Sequence, residues 1–311
     1  MAEKILKCLD ECFNIDGLYI TGLDADTDHQ EGITYLWSYE QLKNELLPDE
    51  FERFTTVYSI DKNGNFDDMI HLVRKTDDPL DDVEDKLLAI RRKRKQPSQD
   101  NKILCGINAL LVIAMVQAGR FLERTELEMQ ASQVMRNLLN KFWNGKFLKH
   151  SFYEGIFQEQ CYLFDAAAIL SALTMLSEND ESWKNIMTDM TLYVESFIDG
   201  DKWIESRVED FQTVYASWLD HPVPSSVSLA ELGLTRNAFL TGKNLPSKQY
   251  REPFKSDFYN IVVMMNNGLF HLFESTKVLS WNLLPVNSLR IKGTHETDCF
   301  MGVCRPLETG F

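Results

Sequence analysis

A chain of 311 residues, 44% of them hydrophobic, carries enough apolar material for one large domain or two ordinary ones with a real core. A formal net charge of -15, from 47 acidic against 32 basic residues, disfavours nucleic acid and anionic membrane surfaces and favours a neutral or cationic partner. The N-terminus, "MAEKILKCLDECFNIDG", lacks the apolar core of a signal peptide and no stretch reaches the roughly 18 to 20 apolar residues of a membrane helix, so a soluble cytoplasmic protein whose six cysteines are free thiols is expected.

Ile5, Leu6, Leu9 and Phe13 recur at helical spacing, which predicts an amphipathic helix over Ala2 to Phe13, ending near Asp16-Gly17. "LYITGL" and "ITYLWS" then read as strands of a hairpin whose loop is "DADTDHQEG". Ser38, followed by Glu40 and Gln41, marks a helix start with Leu42, Leu46 and Leu47 on its apolar face. From Phe51 to Thr76 the pattern weakens. "DKNGNFDD" has its glycine and closing acid in the wrong places for a calcium loop.

Beyond Pro79 the periodicity predicts helices over Val83 to Lys95, Ile103 to Glu123, Glu126 to Phe142, Tyr162 to Leu176, Ser182 to Phe197, Val227 to Leu240 and Ser256 to Phe273. Short connections make successive helices antiparallel neighbours. "KVLSWN", "SLRIKG" and "CFMGVC" read as short strands, and "RRKRK" at Arg91 to Lys95 as the solvated end of a helix. There is no Gly-rich phosphate loop, no G-x-S-x-G elbow and no H-E-x-x-H pair, and no cofactor is expected.

Asp24 and Asp26 lie two apart, so in an extended segment their carboxylates converge on one face. Three chemistries fit: an acid and base pair of the kind glycoside hydrolysis uses, a hard-cation site with His29, or a turn whose aspartates accept backbone N–H groups. Asp165 sits in the apolar helix "YLFDAAAIL" and requires a partner there. Cys299 and Cys304 are spaced neither as a redox pair nor with enough further donors for zinc, so no metal is assigned. His271 reads as a lone helical histidine, packed or exposed rather than catalytic.

Four stretches, in order, carry a resemblance: "GLYITGLDADTDHQEGITYLWSYEQL", "LLAIRRKRKQPSQDNKILCGINALL", "YLFDAAAILSALTMLSE" and "PVPSSVSLAELGL", with "CFMGVCRP" near the end. They resemble the thioredoxin-domain-containing YyaL-like family, the spermatogenesis-associated protein 20 group, over nearly the whole chain. The family's large domain is an α/α toroid related to six-hairpin glycosidases and N-acylglucosamine 2-epimerases. Asp24, Asp26, Glu31, Gly32, Trp37, Arg91, Arg94, Pro97, Asp100, Lys102, Asn108, Asp165, Pro224 and Ser225 match its pattern. Asn101, Ile107, Ala109, Phe164, Ala166, Ser226 and Val227 depart from it, removing groups that stack on and hydrogen-bond sugars.

The resemblance implies a mainly-α fold: an incomplete (α/α)6-type toroid forming a single domain over 1–311, with a β-hairpin insertion about 18–37 and short strands about 276–305. It places the start of this chain after the family's thioredoxin-like domain and first hairpins, so a homodimer or second protein would cover the open edge. It implies a six-hairpin-glycosidase-like protein that binds or processes a sugar, by hydrolysis or epimerisation, with Asp24, Asp26 and Asp165 catalytic. Glu31, Trp37, Asp100, Lys102, Asn108 and Ser225 would bind substrate. The alternative is a non-catalytic remnant, a pseudoenzyme serving as an interaction module.

Overall fold

The computed structural model describes residues 2–160, 162–207, 212–217, 219–242, 271–275, 288–292, 297–300 and 303–306. The fold is mainly α. Among the described residues its helices are α1 (Ala2–Cys12), α2 (Tyr39–Glu45), α3 (Pro48–Val57), α4 (Asp81–Arg91), α5 (Cys105–Phe121), α6 (Thr125–Phe142), α7 (Leu163–Leu176), α8 (Lys184–Glu195) and α9 (Ser226–Thr241). They divide between two compact units: Gly22–Asp100 forms one, and the residues before and after it form the other.

In the larger unit, α7 is the centre. Its sequence, LFDAAAILSALTML, carries one charge and no amphipathic stripe, and it is buried on nearly every side. It packs against α5, α8 and α9, while α6 packs on α5. Small residues make the closest approach possible: a Cβ on Gly233 of α9 would stand 2.9 Å from Leu170 Cγ. Ser171 Oγ donates to the Leu229 carbonyl at 2.9 Å across the same contact, so the buried hydroxyl is satisfied by the neighbouring helix.

Beyond the last turns of α5 and α7 lies a buried ion cluster. Glu178, just past α7, accepts from Arg120 of α5 at 3.4 Å and from Arg236 of α9. It also accepts the Arg290 backbone N–H at 3.1 Å, which ties the strand Ser288–Lys292 to the helices. That strand pairs in parallel with His271–Ser275, which continues antiparallel to Thr297–Phe300 and then Val303–Pro306. His271 therefore opens a strand, not the end of a helix; the rest of the helix expected over Ser256 to Phe273 lies outside the described residues, as does "KVLSWN". The free-thiol expectation fails at Cys299, which is disulfide-bonded and faces Cys304 across the antiparallel register; Cys8, Cys12 and Cys105 carry no disulfide.

The smaller unit has its own core, with Trp37, Leu42, Phe54, Val57, Ile70, Leu80, Val83 and Leu87. Ser38 caps α2 as expected, accepting the Gln41 N–H at 3.1 Å while the Gln41 side chain accepts from the Ser38 N–H at 3.0 Å. Helix α3 lies in the stretch whose pattern was weak. The signal was local: Pro48 at the first helical position, with Glu50 accepting the Leu47 N–H at 2.8 Å. The run "RRKRK" is only partly solvated, because Arg94 lies 3.9 Å over the Trp37 ring and donates to the Thr34 and Leu36 carbonyls.

The hairpin expected between "LYITGL" and "ITYLWS" is not formed. Leu18–Tyr19 pairs with Asn14–Ile15, Gly22–Leu23 pairs with Gln99–Asp100, and Trp37 bridges to Ile70. The acidic loop instead folds on itself, pairing Asp26–Thr27 with Gln30–Glu31. Asp28 and His29 at its tip both have positive φ, the conformation that two-residue hairpin turns of this hand require.

Candidate functional site

Three helix N-termini meet at one end of the larger unit. Asp165, in the first turn of α7, accepts the Gly106 N–H of α5 at 2.8 Å. Glu205 accepts the Phe164 N–H of α7, its carbonyl accepts the Leu163 N–H at 2.8 Å, and its Oε1 accepts from Ser226 Oγ of α9 at 2.9 Å. Each carboxylate thus satisfies a donor that a neighbouring helix cannot satisfy internally. Gly106 is required at this point: a Cβ there would come within 2.6 Å of the Phe164 ring and 2.8 Å of Asp165 Oδ1.

The partner that Asp165 demanded is His150, whose Nδ1 lies 2.7 Å from Asp165 Oδ2. His150 is placed by a three-stranded sheet of Ile103–Leu104, Ser151–Tyr153 and Ile156–Gln158. Its carbonyl accepts from Cys105 N–H and its own N–H donates to the Gln158 carbonyl, each at 2.9 Å. The side chain of Asp165 is 2% exposed and that of His150 25%. The histidine is therefore the accessible half of the pair. Tyr162 meets it edge to face, with ring centroids 4.6 Å apart.

Burial pushes the Asp165 carboxyl above the usual range, against the opposing pull of His150 and the Gly106 N–H. Burial also raises Glu205, with the charge of Asp165 adding to it and the bonds from Ser226 and Phe164 opposing it. Burial first, then the Asp165 and Glu205 charges, raises the Tyr162 hydroxyl. Asp165, with one oxygen on Gly106 N–H and the other on His150 Nδ1, orients the imidazole, while burial favours the protonated form of Glu205.

Of the residues singled out from the sequence, Asp165 alone belongs to this constellation through its own side chain. Ser225 is adjacent but acts as the α9 N-cap, its Oγ accepting the Ser228 N–H at 3.1 Å. Asn108 is 1% exposed and fully committed: it accepts the Tyr19 N–H at 2.8 Å and donates to the Tyr19 and Leu104 carbonyls. Lys102 is exposed, and its carbonyl accepts the Thr21 N–H at 3.0 Å.

Asp24, Asp26, Glu31, Trp37 and Asp100 belong to the smaller unit. Asp24 holds a turn, accepting the Asp26 N–H and the Ser98 hydroxyl, each at 3.1 Å, and those bonds keep its carboxyl below the usual range. Asp26 and Glu31 face each other across the short hairpin and both are exposed. Asp100 is exposed opposite Gly22. Trp37 is 2% exposed and covered by Arg94, so it has no open aromatic face for a sugar. Among the described residues no group of three or more His, Cys, Asp or Glu side chains is arranged to hold a metal ion.

His150, Tyr162 and Glu205 were not singled out. The one signal was the need of Asp165 for a partner; which residue meets it depends on strand pairing that brings position 150 beside the start of α7.

No family model matches the chain, and no curated protein is similar to it. Among solved structures it is similar to a novel alpha-amylase from Clostridium perfringens, at 14% identity and a TM-score of 0.36, over 78% of this chain and 67% of that one. Among the described residues no helix is long and apolar enough to cross a membrane.

Proposed function

We propose that the protein carries out acid–base chemistry on a neutral sugar at the meeting point of α5, α7 and α9. The observation that carries this reading is the 2.7 Å bond from His150 to a buried Asp165, with Glu205 beside them. Donation of Nδ1–H to Asp165 leaves Nε2 of the neutral ring as the base. Glu205, raised by burial, is the acid. Asp165 has both oxygens engaged and positions His150 without touching substrate. The net charge of -15 disfavours anionic substrates.

One histidine and one carboxyl suit a proton shift better than glycoside hydrolysis, which uses two carboxyl groups on opposite sides of the scissile bond. His150 Nε2 takes the proton from the carbon next to the carbonyl of an open-chain sugar, and its electron pair forms a C=C bond. The carbonyl oxygen takes the Glu205 proton. Return of the proton from His150 to the neighbouring carbon on the same face, and of the C2 hydroxyl proton to Glu205, completes an aldose–ketose isomerisation. The YyaL-like resemblance agrees with a sugar substrate and rests on the sequence stretches alone.

The test is deuterium wash-in from heavy water at C2 of aldoses and at C1 of the corresponding 2-ketoses, followed by proton NMR. Exchange that disappears in His150→Asn and Glu205→Gln is expected; no exchange with any neutral sugar sinks the reading. A non-catalytic module is the second reading, favoured by the fact that Asp165, Glu205, Asn108 and Ser225 all cap helices or bridge backbone groups. It predicts that Glu205→Gln lowers the melting temperature while neither wild type nor variant responds to sugars.

A further inference from the structure

A row of side-chain hydrogen bonds runs from the strand after His150 to the residue after Glu205. Ser151 Oγ donates to Gln158 Oε1 at 3.3 Å, Gln158 Nε2 donates to Gln160 Oε1 at 3.1 Å, and Gln160 Nε2 donates to Ser206 Oγ at 3.5 Å. The backbone holds both ends. Ser151 is the register partner of Gln158, and Ser206 bridges to Tyr162, whose ring meets His150.

We infer that Gln158 and Gln160 form a hydroxyl-binding wall that selects a neutral substrate with adjacent hydroxyl groups, an inference that rests on the proposed sugar chemistry. Within the row each amide uses one of its two N–H donors and one of its two acceptor positions, so each retains one donor and one acceptor. A sugar hydroxyl is likewise both donor and acceptor, and two amides two residues apart offer a repeat of that pattern to two hydroxyls. Neither amide carries charge, so the wall adds no preference for ionic groups to a site that already disfavours anions. Gln158 is exposed and Gln160 half-buried, which leaves the remaining groups reachable. The donors all run in one direction, and such chains polarise their members. Tyr162 supplies an aromatic ring at the same place, giving the apolar face of a sugar something to rest on.

The experiment is calorimetric titration of the full chain with glucose and with 2-deoxyglucose, in wild type, Gln158→Ala, Gln158→Ala/Gln160→Ala and His150→Asn. Wild type should bind the deoxy sugar about tenfold more weakly, near the value of one or two hydrogen bonds. Each alanine should weaken glucose by about tenfold, and the double variant should no longer tell the two sugars apart, while His150→Asn still binds and loses deuterium wash-in. Gln158 is on the surface, so the single variant tests the wall even if the double variant does not fold. A Gln158→Ala variant that binds and discriminates like wild type overturns the wall and leaves the acid–base reading standing, provided wash-in still depends on His150. Wild type that binds no neutral sugar overturns both.

Discussion

Asp165 Oδ1 accepts the Gly106 N–H at 2.8 Å while Oδ2 of the same carboxylate meets His150 Nδ1 at 2.7 Å, so one side chain fixes both a helix terminus and an imidazole. Asp165→Asn separates the two tasks. The amide oxygen still accepts from Gly106, but its NH2 turns the His150 hydrogen bond around and moves the ring proton to Nε2. We expect a small loss of stability, a change of tautomer visible in the imidazole nitrogen shifts, and wash-in reduced by orders of magnitude. Unchanged nitrogen shifts would show that Asp165 does not set the tautomer.

Glu205→Gln tests the acid. Because the Glu205 carboxyl lies above the ordinary range, wild-type wash-in should be full at low pH with respect to this group and fall as pH rises through its raised value. Glutamine keeps the acceptor for Ser226 but has no proton to give. Its residual rate should lack that alkaline fall, and a profile identical to wild type would remove Glu205 from the chemistry.

Gly106→Ala should destabilise the larger unit by about 1–3 kcal/mol, the usual cost of forcing volume into a packed site. The added methyl presses on the Phe164 ring and on Asp165 itself. Chemical denaturation measures it; a neutral result would mean that α5 and α7 separate at no cost.

Glu178→Gln removes the carboxylate that Arg120, Arg236 and the Arg290 N–H share. The buried Arg236 guanidinium then loses the anion it pairs with, while Arg120 keeps Glu128 at 3.9 Å, and we expect a loss of about 3–5 kcal/mol. Double-mutant cycles with Arg236→Met should recover part of it, since removing both partners avoids the stranded charge.

Tyr19 predicts an alkaline effect. Burial, with help from the Asp10 hydrogen bond and charge, pushes its hydroxyl from 10.0 up to about 12. A group raised in the folded state contributes stability that is complete below its unfolded value and lost as pH rises through the folded one. Wild type should therefore lose stability between pH 10 and about 12, and Tyr19→Phe should lack that component while costing about 1 kcal/mol at neutral pH. Parallel denaturation curves from pH 8 to 12 decide it.

The helices were legible where periodicity and end signals agreed. Glu126 to Phe142 was expected and Thr125–Phe142 is found; Ser38 and Gln41 cap α2 as their spacing suggests. Helix α3 was missed because its apolar face is short and its evidence lay in the Pro48 cap. The two-residue strands were misplaced because pairing is non-local: nothing in "GLDAD" says that Gly22 meets Asp100. The acidic loop drew attention through composition, yet Asp24 spends its oxygens on a turn. The pairing of His150 with Asp165 was invisible for the complementary reason. Its members are ordinary in sequence, and only the register of Ser151 with Leu104 brings them together.

The close approach of Thr21 to Lys102, where one N–H meets one carbonyl at 3.0 Å, bears on the order of folding. The larger unit is made from two pieces of chain, and its N-terminal piece must find α5 and α6 across the whole of Gly22–Asp100. Closing so long a loop costs entropy that grows with its length. If the inserted unit folds first, its Gly22–Asp100 pairing brings those two ends together and the effective loop shrinks to a few residues. The insert then acts as a clamp that hands Leu18, Tyr19 and Ile20 to their core, and its stability sets how fast the rest of the chain can assemble.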